Sequence, residues 1–136
     1  MPELLDVLIV DDEPLIRWAV ARTLATAGHR VREARDAAGA IAALTSGEPL
    51  PDVVLLDCRL PDSDGPELLQ TTRHLAPDSA VVMMSADPPA WVRDACALGA
   101  SSVMQKPFDM GEVEAALLGA HVSRSPLQPP SAGPSS

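Results

Sequence analysis

Val7-Leu8-Ile9-Val10-Asp11-Asp12-Glu13 sets four apolar residues directly against three acids. An uninterrupted apolar run this short reads as a strand buried on both faces, the habit of parallel sheets covered by helices. The figure recurs in Val53-Val54-Leu55-Leu56, which ends in Asp57, and in Ala80-Val81-Val82-Met83-Met84, which ends in Ser85. A weaker copy, Val103-Met104, leads to Lys106-Pro107. Arg30-Val31-Arg32-Glu33-Ala34 alternates instead, and alternation with charges on one face suits an edge strand.

Helical patterns separate these runs. From Pro14 to Ala27, apolar Ile16, Ala19, Val20, Leu24 and Ala27 recur at helical spacing, and Gly28 supplies a stop. Asp36 is placed to cap a helix carrying Ile41 and Leu44, although Gly39 weakens it by ~1 kcal/mol relative to Ala. Pro66 opens a helix through Leu68, Leu69 and Leu75. Asp87-Pro88 opens a fourth, closed by Gly99. Asp109 and Glu112 have capping-box spacing before a fifth, whose buried stripe is Val113, Ala116, Leu117 and Ala120. Strand and helix alternate five times, which predicts an α/β fold on a parallel sheet.

The 136 residues suffice for one domain with a core and fall short of two. With 46% hydrophobic and 21% charged residues, the composition is that of a globular chain. The net charge of -9 opposes contact with nucleic acid through this domain. No apolar run approaches the ~18 residues that span a bilayer. Met1-Pro2-Glu3 lacks the basic start of a signal peptide, so a cytoplasmic protein is expected. Cys58 and Cys96 have no metal-ligand spacing and read as buried small hydrophobes. Residues 123–136 hold Pro126, Pro129, Pro130 and Pro134 among serines, and read as a disordered tail or linker after a domain at 4–122.

The chemistry lies at the strand ends. In an open parallel sheet, ligands bind beyond the carboxyl ends of the strands, where strand order reverses. Four strands thus deliver Asp11, Asp12, Asp57, Ser85 and Lys106 to one place. Clustered carboxylates repel unless a cation neutralises them. Oxygen ligands without His or Cys favour a hard ion such as Mg2+. A carboxylate beside Mg2+ and Lys can attack phosphorus, because both cations offset charge on the equatorial oxygens. Plainer readings stand beside these: the acids at 11–13 as helix caps, Asp57 as a loop acid, Lys106 as a surface charge.

Together, Val10-Asp11-Asp12-Glu13, Leu56-Asp57-Cys58-Arg59-Leu60-Pro61, Asp64-Gly65, Ser85-Ala86 and Lys106-Pro107-Phe108 resemble the receiver domain of two-component response regulators. The resemblance covers residues 4–122. It implies a doubly wound, flavodoxin-like five-stranded sheet of order 2-1-3-4-5 with five helices. It implies that a histidine kinase or histidine phosphotransfer protein phosphorylates Asp57, with Mg2+ as cofactor. Asp12 is then a direct metal ligand, Asp11 acts largely through metal-bound water, and Asp57 and the Arg59 backbone carbonyl complete the ligand set. Ser85 is the switch hydroxyl, Lys106 pairs with the phosphate, and the bond before Pro107 is cis. Leu60 to Gly65 is similar to receivers attached to transcriptional activators.

The chain departs from the family at Val103, where an aromatic is usual; it contains no Tyr. The usual coupling, in which a ring swings inward as the hydroxyl moves, therefore has no ring to move. Arg59 and Asp87 flank the phosphate entrance as a candidate ion pair, or as unrelated exposed charges. Leu15, Trp18 and Arg22 form a helical ridge that could dock a kinase or phosphotransfer helix, with a half-buried Trp18 as the alternative. A phosphorylation-dependent dimer or a downstream protein is a further partner. Against the switch stands a phosphotransferase or phosphatase that uses Asp57 as nucleophile toward a small substrate.

Overall fold

Each apolar run forms a strand in the computed structural model, which describes residues 4–63, 66–86 and 90–123. The order is β1 (Asp6–Val10), α1 (Pro14–Thr26), β2 (Arg30–Ala34), α2 (Ala37–Leu44), β3 (Val53–Asp57), α3 (Glu67–Leu75), β4 (Ala80–Ser85), a 3-10 segment (Ala90–Asp94), β5 (Ser102–Gln105) and α4 (Met110–Ser123). All pairings are parallel, in the order β2-β1-β3-β4-β5. The chain reverses direction across the sheet between β1 and β3, which pair directly.

Alternation along the strands divides the core in two. Leu8, Val10, Val54, Leu56, Val81 and Met83 face α2, α3 and the 3-10 segment through Ala40, Leu44, Leu69 and Val92. Val7, Ile9, Val53, Leu55, Val82 and Met84 face α1 and α4 through Val20, Leu24, Val113 and Leu117. Burial of both faces explains the uninterrupted runs in the central strands. Each fully buried Leu, Ile or Val contributes roughly 1.5–3 kcal/mol relative to exposure.

The local signals act where the sequence places them. Asp36 caps α2 by accepting the Gly39 N–H at 2.7 Å. A Cβ on Gly39 would stand 2.9 Å from that same Asp36 oxygen, so a larger residue there would require the Asp36 carboxylate to shift slightly. Asp109 and Glu112 make both bonds of the capping box, each at 2.9 Å.

Two expectations need correction. There are four α-helices among the described residues, not five: the stretch before Gly99 is a 3-10 segment followed by turns. Its buried positions, Val92 and Ala95, lie three apart, and Ala95 N–H bonds back to the Val92 carbonyl. Spacing of three suits i→i+3 bonding. Asp87 and Pro88 lie outside the described residues, as do Asp64-Gly65 and residues 124–136 of the expected tail; Ser123 closes α4. Second, β5 is not buried on both faces. It is a sheet edge, and Val103 is 39% exposed.

Candidate functional site

The carboxyl ends of β1, β3, β4 and β5 converge, and Asp11, Asp57, Ser85 and Lys106 converge with them. Asp11 is fully buried, Asp57 is 8% exposed and Ser85 is 2% exposed. Asp12 is exposed. Carboxylate oxygens of Asp11, Asp12 and Asp57 lie within 4.8 Å of one another. An open cleft of about 290 Å³ is lined by Asp12, Glu13, Asp57, Arg59, Ser85, Ala86 and Lys106.

Lys106 organises the cluster. Its Nζ donates to Asp11 Oδ2, Glu13 Oε1 and Asp57 Oδ2, each at 3.0 Å. Three donors meet three carboxylates, so the ammonium is saturated. Burial opposes its charge, yet Asp57, Glu13 and Asp11 outweigh burial and hold the ammonium well above the ordinary lysine range. Burial raises the Asp11 carboxyl, against the Glu13 N–H and Lys106. Lys106 is therefore no free surface charge. The Lys106–Pro107 peptide is cis.

The acids are not helix caps. Glu13 occupies the N-cap position of α1 without a side-chain cap bond. Asp11 Oδ1 instead accepts the Glu13 N–H at 2.9 Å, a local turn that aims the acids at the cleft. Asp57 is fixed at both oxygens: Oδ1 accepts the Arg59 N–H at 3.0 Å, and Oδ2 takes Lys106. The Ser85 Oγ is buried and has no hydrogen-bond partner among the described residues. A buried hydroxyl without a well-formed bond is costly; the buried Cys58 thiol is within its reach, and Ser85 lines the same cleft as Asp57.

A model of the response regulator receiver domain matches residues 7–118. The chain belongs to the response regulator receiver family. It is 39% identical over 111 residues to the DNA-binding transcriptional regulator NtrC of Escherichia coli, covering 80% of this chain and 23% of that protein. It is 35% identical over 131 residues to the "Probable transcriptional regulatory protein NarL" of Mycobacterium tuberculosis, covering 94% of this chain and 60% of that one. The chain thus spans three-fifths or less of these relatives. The receiver domain of NtrX from Brucella abortus superposes with a TM-score of 0.76 at 34% identity, covering 87% of this chain and 99% of that one. A CheY-like receiver from Methanospirillum hungatei, at 24% identity and a TM-score of 0.82 over 90% of this chain and 97% of that one, shares the fold.

Around this receiver's site, Leu15 is 81% and Trp18 58% exposed. Trp18 is therefore a surface residue, and the Arg22 guanidinium carbon lies 5.5 Å from its ring centroid. Cys58 is buried beside the site, whereas Cys96 is exposed, against expectation. The candidate Arg59–Asp87 pair lies outside the described residues at Asp87.

Sequence reasoning missed two partners of the acids. Glu13 read as one more acid, and only the fold shows it sharing the Lys106 ammonium. Arg17 donates to the Asp11 carbonyl at 2.7 Å. A signal for it existed: a cation in a helix's first turn opposes the dipole and needs a local acceptor.

Proposed function

We propose that this receiver accepts a phosphoryl group on Asp57 from a histidine kinase or histidine phosphotransfer protein, in a Mg2+-dependent reaction, and acts as a phosphorylation-controlled switch. The observation that carries this is the environment of Asp57: a buried carboxylate with both oxygens held, by Arg59 N–H and Lys106, in a cleft that Ser85 also lines. The Ser85 hydroxyl makes no hydrogen bond of good geometry among the described residues.

The donor set suits a hard divalent ion, since it is all oxygen and lies within one cluster. Asp12, Asp57, the Arg59 carbonyl and, through water, Asp11 would hold it. Bound there, Mg2+ supplies positive charge against the phosphoryl oxygens and shields the attacking carboxylate from its neighbours. The protein's own groups do the rest. Asp57 attacks phosphorus in line and the donor's nitrogen or oxygen leaves. Lys106 balances charge on the transferred group, and Ser85 donates its hydroxyl to a phosphoryl oxygen. The same cluster admits water for autodephosphorylation.

For the donor's docking surface we infer Leu15, Trp18 and Arg22 on α1. An apolar hollow of about 220 Å³ between α1 and the β5–α4 connection is lined by Leu15, Ile16, Ala19, Lys106, Pro107, Phe108 and Met110. Lys106 borders both hollow and acid cleft, so a helix seated there brings its histidine toward Asp57. We infer a receiver unit at 4–122 with 123–136 as linker, a cytoplasmic setting, and output through a dimer or downstream protein rather than through nucleic acid bound by this domain.

Incubation with acetyl phosphate and Mg2+ tests the reading. One stable acyl phosphate, absent from Asp57→Asn, is the expected result. Continuous release of phosphate from small esters without a protein-bound product would favour the phosphatase alternative and overturn the switch.

A further inference from the structure

Asp11 is held from four directions. Its N–H donates to the Ala34 carbonyl at 3.0 Å, and its carboxylate takes the Glu13 N–H at 2.9 Å and Lys106 Nζ at 3.0 Å. The fourth hold is on its carbonyl, which accepts Arg17 Nη1 at 2.7 Å. Arg17 Nε reaches the other way, to Glu33 Oε1 on β2 at 3.1 Å.

That carbonyl belongs to the peptide unit joining Asp11 to Asp12. β1 ends at Val10, so the unit lies just past the strand, where the sheet no longer fixes its orientation. Arg17 fixes it instead. The side chain is only 19% exposed, and the planar fork spends one nitrogen on Asp11 and another on Glu33. A lysine in its place offers one point of charge and no fork.

We propose that Arg17 is a positioning residue for the Asp11–Asp12 acid pair: by clamping the peptide plane between them, it sets where the Asp12 carboxylate stands relative to Asp11 and Asp57. The proposal rests on the reading of these acids as a Mg2+ site for phosphoryl transfer. Groups that orient a metal ligand without touching the metal typically change affinity by about 10- to 100-fold when removed.

The test uses the full chain and MgCl2 as the probe. Mg2+ binding is followed by calorimetry, and phosphoryl uptake from acetyl phosphate at limiting and at saturating Mg2+. Arg17→Ala is expected to weaken Mg2+ about tenfold and to slow uptake similarly at limiting Mg2+, with most of the rate recovered at saturation. Arg17→Lys should fall between. Glu33→Gln, which leaves the bond to Asp11, should stay within about twofold of the parent. Parent-like Mg2+ affinity in Arg17→Ala, or a rate loss that saturation does not relieve, overturns the proposal by reducing Arg17 to scaffold. If Arg17→Ala melts below the working temperature, Arg17→Lys decides on the same criteria. A parent that binds Mg2+ yet takes no phosphoryl group onto Asp57 refutes the phosphoryl-transfer reading, while the ratio of affinities still judges Arg17; a parent that binds no Mg2+ overturns both.

Discussion

The carboxylate of Asp62 accepts the backbone N–H of Ala37 at 2.8 Å, and its second oxygen accepts that of Ala38 at 3.0 Å. Asp36 takes the next free donor, at Gly39. Two acids from distant parts of the chain therefore satisfy three of the four orphan amides at the start of α2. One consequence concerns the site. The loop after Asp57 turns back on itself through paired bonds between Leu60 and Ser63, and Asp62 pins that turn to α2.

The two amides hold the Asp62 carboxyl below the usual range. A depressed folded pKa means stability that is present above the unfolded value of about 3.9 and is lost as pH falls through the folded one. Asp62→Ala should therefore lower the melting temperature at pH 7, and the gap to the parent should narrow as the pH drops below about 4. Melts of the two proteins across that range check it. A gap that is constant with pH would mean the carboxylate is not the stabilising species.

Asp57→Asn should abolish phosphoryl uptake from acetyl phosphate and from any kinase, because an amide is not a competent nucleophile for this displacement. It also removes one of the three carboxylates around Lys106. Thermal stability should nonetheless hold near the parent, since Asp11 and Glu13 keep the ammonium paired. Phosphorylation by intact mass, beside a melting curve, separates the two effects.

Asp12→Ala makes a sharper case for the metal. Asp12 is exposed and takes no part in the Lys106 bonds, so its loss should leave folding unchanged. Mg2+ affinity should fall by at least about tenfold, with most of the activity. Unchanged affinity on titration would remove Asp12 from the ligand set.

How far the sequence foretold this varies with the kind of signal. Buried strands were legible because both faces of β1, β3 and β4 are covered, which leaves the run of apolar residues unbroken. β5 was the weakest run, and it is one of the sheet's two edges, with alternate residues exposed. The stretch before Gly99 reads as an α-helix from its end signals alone, Asp87-Pro88 and Gly99, and such signals do not separate α from 3-10 winding. Within the site, the residues at strand ends were placed by counting. Arg17, Glu13 and Asp62 were not, because each acts on a backbone group or a side chain remote in sequence, and no periodicity records such pairs.

At the opposite end of the sheet, His29 Nδ1 accepts the Leu5 N–H at 2.9 Å, so the ring proton resides on Nε2, which meets Glu114 Oε2 at 2.7 Å. The ring thereby ties the entry to β1 to α4. His29→Ala leaves the Leu5 N–H buried and unpaired, and should cost roughly 1–3 kcal/mol by denaturant unfolding. Nitrogen chemical shifts in the parent should show Nδ1 as the acceptor, with a proton on Nε2.

Val103 lies on the exposed side of the edge strand, paired in register with Met83. Phosphorylation should still draw Ser85 toward the phosphate, because its Oγ is buried without a partner and gains one there. Lys106 is already in place beside Asp57. The downstream response cannot be a ring exchange between a cavity and the surface. Val103 has no ring, its β-branched χ1 is stiff, and at 39% exposure it fills no buried cavity that it could vacate. The response should therefore stay within residues 85–91 and leave β5 and α4 nearly as they were. Hydrogen exchange with and without beryllofluoride measures this directly. Strong new protection confined to 85–91 supports the local response; changes of equal size at Val103 and along α4 would show that the output face is rebuilt without an aromatic. Val103→Tyr adds a second arm. If ring size is what couples the faces, the tyrosine should extend the beryllofluoride response into β5, and an unaltered pattern would place the coupling elsewhere.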